Sequence, residues 1–135
     1  MVSAHRSQGC RAFTLVELLI VILILAVLMA VALPLYLAAI SDSERTACRA
    51  NMQSIADAEQ AYRARTPTHT YTTVLSSLDP DLWATPACPE QGDYTVVISN
   101  GSEIANNGAT VPSGGLVVKC TVAAHGVFAP SIDSQ

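Results

Sequence analysis

Residues 18–40 form a run of 23 positions without a charge, and no polar face can be drawn on it at helical spacing. A helix of that length rises roughly 35 Å against a hydrocarbon core about 30 Å thick, which predicts one membrane span. Residues 41–64 contain neither proline nor glycine and are rich in alanine, glutamate, glutamine and arginine, so the helix is predicted to continue. Cys48, Met52, Ile55, Ala58 and Tyr62 recur at intervals of four, three, three and four, which puts them on one face. That stripe should pack on a globular part, leaving Asp42, Arg45, Arg49, Asn51, Gln53, Asp57, Arg63 and Arg65 mostly outward. Thr66-Pro67-Thr68 ends the helix. Downstream, Asp79-Pro80-Asp81-Leu82-Trp83 reads as a turn followed by an anchoring aromatic. Residues 94–99 and 116–122 are rich in β-branched side chains and read as strands, with loop between them and a further candidate strand near Ala109-Thr110-Val111. The fold class expected is α+β: a long N-terminal helix, membrane-spanning in its first half and packed by its second half on a small antiparallel sheet.

Charge orients the span. Arg6 and Arg11 precede it and Asp42 and Glu44 follow it, so the N-terminus is expected in the cytoplasm and the C-terminal part beyond the membrane. A cleaved secretory signal is the rival reading, but Ser41-Asp42-Ser43-Glu44-Arg45 lacks the small-x-small pattern such a signal shows after its apolar region. The formal net charge of −4 argues against nucleic acid as a partner. Arg45, Arg49, Arg63, Arg65 and Lys119 are too few and too far apart to change that. Cys48, Cys88 and Cys120 follow the span. If the region is exported, a disulfide is permitted, and Cys88 with Cys120 is the expected pair because each borders a predicted strand. Closing it would add roughly 3–4 kcal/mol by the chain-entropy estimate.

The N-terminal motif adds a resemblance. Ala12-Phe13-Thr14-Leu15-Val16-Glu17-Leu18-Leu19, behind the basic flank of Arg11, resembles the processing site of type IV pilins and the related pseudopilins. The resemblance implies cleavage by a prepilin peptidase between Ala12 and Phe13 and methylation of the new Phe13 amino group. The family usually has glycine before the cut, where this chain has Ala12. It also implies that Glu17 pairs with the Phe13 amine of a neighbouring subunit and sets the axial register of assembly. A carboxylate within the bilayer costs on the order of 2.5–3.5 kcal/mol near its centre, so such groups take partners. The alternative is that Glu17 sits among headgroups beside the leader arginines. Pro34 removes a backbone donor and kinks or locally melts a helix; the resemblance implies unwinding there on assembly. The organisation expected is a leader at 1–12, a transmembrane and assembly helix at 13–40, its amphipathic continuation at 41–65, and a small C-terminal α+β part with a hairpin at 66–135.

Catalytic chemistry is not in evidence. His5, His69 and His125 are scattered, and the intervals joining a histidine to Cys48, Cys88 and Cys120 fit no zinc-ligand pattern, so no metal or cofactor is expected. Asp79 and Asp81 are too few for calcium. Asn100-Gly101-Ser102 fits a glycosylation pattern but reads more simply as a turn. Phosphate-binding loops and nucleophile elbows do not occur. The function expected is a structural subunit of a type IV pilus-like filament and not an enzyme. Its partners would be copies of itself, the prepilin peptidase, and the inner membrane with its assembly platform. It would reside first in the inner membrane and then in a periplasmic or cell-surface filament. The alternatives are a pseudopilin of a type II secretion system and, from another class, a monomeric membrane-anchored binding module.

Overall fold

A computed structural model describes residues 13–133. The first element, α1, is an α-helix over Leu15–Arg65. Thr14 starts it: the Glu17 backbone N–H donates to the Thr14 hydroxyl at 3.2 Å and Leu18 N–H to the Thr14 carbonyl at 3.3 Å. This is an N-cap, which satisfies backbone donors that a helix start leaves without partners. At the other end, Thr66 returns its N–H and its hydroxyl to the Tyr62 carbonyl, both at 3.0 Å, and Pro67 cannot extend the ladder. The helix therefore ends at Arg65, and it runs through Pro34.

The chain divides into two compact units, Met1–Ala39 and Ile40–Gln135. In the first, the described residues from Leu15 on are helix, and every large apolar side chain from Phe13 on is exposed. The second unit holds the core. After α1 come a 3-10 turn at Leu75–Leu78, strand β1 at Tyr94–Ile98, strand β2 at Leu116–Cys120, a 3-10 turn at Ala123–His125, strand β3 at Val127–Phe128 and a short helix α2 at Pro130–Asp133. The sheet has the order β1-β2-β3 and is antiparallel throughout, with Tyr94 opposite Cys120, Val96 opposite Val118, Ile98 opposite Leu116, and Val118 opposite Phe128.

The expected stripe is the buried face of α1. Cys48, Met52 and Ile55 have no exposed surface and Ala58 is buried, packed with Leu78, Leu82, Tyr94, Val96, Leu116, Val118 and Phe128; Tyr62 is half-buried at the edge. Because successive strand residues face opposite ways, Val117 points to the other side of the central strand, where it meets Ala105, Val111 and Ala129. Both faces of β2 are covered, which explains its run of consecutive apolar residues.

Two expectations are corrected. Trp83 is fully exposed, and Leu82 beside it is the anchor: a backbone bond from Leu82 N–H to the Leu78 carbonyl at 2.8 Å turns Leu82 inward and its neighbour outward. The third strand is Val127–Phe128, whereas the candidate near residues 109–111 makes a single bridge, Ile104 with Thr110. Asp81, half of the weighed calcium pair, is held by Arg65, whose guanidinium also lies 4.9 Å over the Tyr62 ring.

Candidate functional site

The N-terminal helix presents its functional residues without cover. Phe13 is 76% exposed, and the large apolar residues through Leu37 are between 45% and 73% exposed. Among the described residues that surface has nothing to pack on. Water is its least favourable surrounding, at about 25 cal/mol for each Å² of apolar area. α1 qualifies as a membrane span by length and composition. Glu17 sits three residues after the Thr14 cap, in the first helical turn, where a carboxylate also complements the positive end of the helix dipole. Its side chain is exposed, and Pro34 lies farther along the same apolar segment.

A second constellation lies in the unit Ile40–Gln135. Cys48 from α1, Cys88 from the loop before β1, Cys120 from the end of β2 and His125 from the following 3-10 turn converge, and their ligand atoms all lie within 4.8 Å of one another. The Cys88 and Cys120 sulfurs are 3.7 Å apart and not bonded. His125 Nδ1 lies 3.3 Å from the Cys88 sulfur and 3.6 Å from that of Cys120. The other ring nitrogen, Nε2, is 3.7 Å from the Glu90 carboxylate. The Tyr94 hydroxyl donates to the Cys48 sulfur at 3.3 Å and accepts from the Asn51 side-chain amide at 3.2 Å; Asn51 also donates to the Ala87 carbonyl at 2.9 Å.

Burial acts on these thiols unequally. It pushes Cys48 up to about 12, assisted by the neighbouring Cys120 and Cys88 and opposed by the Tyr94 hydrogen bond. Burial also raises Cys88, but the backbone N–H groups of Gly92 and Glu90, with the Cys120 and Cys48 side chains, outweigh it and leave this thiol below its ordinary value. The turn from Cys88 to Gly92 makes that possible. Gln91 N–H donates to the Cys88 carbonyl at 3.0 Å, Gln91 takes a left-handed φ of 59°, and Gly92 approaches so closely that a Cβ there would stand 3.0 Å from the Cys120 sulfur.

Residues 7–33 match the family described as the prokaryotic N-terminal methylation motif. The chain carries the type IV pilin and pseudopilin signature. No curated protein and no solved structure matches it. The signature covers Phe13, Glu17 and part of the apolar helix, and it stops short of Pro34. Ala12, the residue before the expected cut, lies outside the described residues. The motif suggests a structural subunit, and an apolar N-terminal helix of this length is consistent with anchoring in the inner membrane.

Of the residues singled out in the sequence, Cys88 and Cys120 are brought side by side without the bond expected between them. Cys48 and His125 join them, although no interval along the chain announces it. The signal was indirect: Cys48 lies on the buried stripe of α1, and the pairing of Tyr94 with Cys120 brings the start of one strand beside the end of the next. Glu59 also escaped notice. It is a carboxylate with no exposed surface, accepting the Thr72 N–H at 3.0 Å through Oε2 while Oε1 has no partner.

Proposed function

We propose that this chain is a structural subunit of a type IV pilus-like filament. Prepilin peptidase cuts it between Ala12 and Phe13, Phe13 is methylated, and residues 13–40 hold it in the inner membrane until the assembly platform adds it to the filament. One conjunction carries the reading: the methylation motif at residues 7–33 runs into a helix whose large apolar side chains, from Leu15 through Leu37, have no cover among the described residues. A membrane anchor explains that surface before assembly, and neighbouring copies explain it afterwards. The cut creates a positive amine at Phe13, and Glu17 one helical turn away supplies the complementary charge to a neighbour. Leaving either charge unpaired in an apolar filament core costs far more than pairing them, which selects one axial register. A type II secretion pseudopilus would use the same N-terminal element, so the reading is at the level of the filament subunit.

The test is Glu17→Val. Membrane insertion and leader cleavage should persist, seen as a mature chain that begins at Phe13 and differs from the parent in mass only by the substitution, while filament yield collapses. Normal filaments from that variant would remove the register role. A chain that works in the membrane without ever polymerising would instead identify a monomeric anchored module.

A further inference from the structure

We propose that Cys48, Cys88, Cys120 and His125 form a structural Zn²⁺ site that ties α1 to the hairpin. The argument begins with geometry. Zinc binds thiolate at about 2.3 Å and imidazole nitrogen at about 2.0–2.1 Å in a tetrahedron, so its ligand atoms stand roughly 3.8 Å apart for two sulfurs and about 3.5 Å for sulfur and nitrogen. The cluster shows 3.7 Å between the Cys88 and Cys120 sulfurs, and 3.3 and 3.6 Å from these to His125 Nδ1. The Cys48 sulfur completes the set within 4.8 Å of the rest.

The surroundings also suit a metal. A ligating histidine ordinarily directs its second nitrogen at a carboxylate, and His125 Nε2 faces Glu90. Thiolates in such sites accept hydrogen bonds: Cys88 takes two from the Gly92 and Glu90 backbone, and Cys48 takes one from the Tyr94 hydroxyl, which Asn51 steadies. Cys48, Cys88 and His125 are each less than a tenth exposed. Four protein ligands with no open position make a closed site, the structural and not the catalytic kind. Loading would deprotonate three thiols, so one Zn²⁺ enters, three protons leave, and no redox change occurs. A Cys88–Cys120 disulfide is the competing state. It requires a two-electron oxidation, and it accounts for two of the four converging side chains while leaving unexplained why His125 Nδ1 and the Cys48 sulfur converge on them.

The experiment uses the full chain, purified in detergent without chelator, and is independent of filament assembly. Elemental analysis should find about one zinc per chain. Cobalt should replace it and give the visible absorption of a tetrahedral thiolate site. Cys48→Ser, Cys88→Ser and Cys120→Ser should each lose the metal, whereas His125→Cys should retain it. Since the serine variants risk misfolding, the parent chain supplies a second reading: a chelator should lower its melting temperature and open Cys48, Cys88 and Cys120 to alkylation, and added zinc should reverse both. Cys88 and Cys120 that resist alkylation until reduced, in a metal-free chain, would overturn the site in favour of the disulfide. Cys48, Cys88 and Cys120 all free as thiols, in a chain that takes up neither zinc nor cobalt, would overturn it outright.

Discussion

One chemical deletion at two points on α1 separates the roles of its halves. Ile55 has no exposed surface and Leu23 is 65% exposed. Ile55→Ala leaves a cavity against the sheet, and a large-to-alanine change at a fully buried site costs about 2–5 kcal/mol. A unit of roughly a hundred residues has some 5–15 kcal/mol of stability in all, so the melting temperature should fall by at least about 8 °C at roughly 4 °C for each kcal/mol. Leu23→Ala should leave that melt within about 0.5 kcal/mol, because Leu23 contributes nothing to the core. It should reduce filament yield instead. The measurement is near-ultraviolet circular dichroism of the full chain in detergent, reporting on buried Tyr94 and half-buried Tyr62. The fully exposed Trp83 makes fluorescence a poor probe, and the helix in the micelle would mask a far-ultraviolet transition. An Ile55→Ala melt within 0.5 kcal/mol of the parent would refute the buried stripe. An equal loss from Leu23→Ala would refute the division of labour along α1.

Two further substitutions probe the same unit. Burial raises the Glu59 pKa, opposed by the Thr72 N–H, so the folded state favours the neutral acid. The contribution of Glu59 to stability is then full below the unfolded value near 4.5 and is lost as pH rises through the raised folded value. Glu59→Gln removes that loss, and its melting temperature relative to the parent should climb from acidic to neutral pH; a difference flat across that range would contradict the assignment. Gly92→Ala places a methyl 2.7 Å from Val122 Cγ2 as well as against the Cys120 sulfur. Overpacking of this kind costs about 1–3 kcal/mol, read as a lower urea midpoint, and an unchanged midpoint would show that the turn yields freely.

What was legible in the sequence followed from periodicity and composition. The stripe from Cys48 to Tyr62 needed only helical spacing, and 94–98 and 116–120 needed only β-branched enrichment between turns. Strand β3 was not legible, since two residues carry no period and its pairing is decided by Phe128 filling the space beside Val118. Trp83 was misread because the size of a side chain says it favours burial, while the turn closed by Leu82 on Leu78 decides which of two neighbours goes in. The N-terminal element was legible because its chemistry is contiguous: cut point, carboxylate and apolar run lie within one stretch of chain. The cysteine–histidine cluster is the opposite case. Zinc patterns in sequence depend on ligands paired at short spacing, whereas here four separate elements deliver one ligand each.

That dispersal bears on why the cluster stands where it does. Strands of five, five and two residues against one helix make a thin core, and small domains of this kind commonly add a cross-link. A link between Cys88 and Cys120 alone would tie the loop before β1 to the end of β2, two segments that the pairing of Tyr94 with Cys120 already brings together. A link that includes Cys48 reaches the helix, and His125 brings in the turn leading to β3. Each ligand therefore belongs to a contact that the short sheet by itself holds weakly. The hydrophobic stripe chooses the face of α1, and the tetrad would fix its height along the sheet. The buried half of α1 gains a defined attachment to the sheet from the second of these constraints, which apolar packing does not supply so sharply.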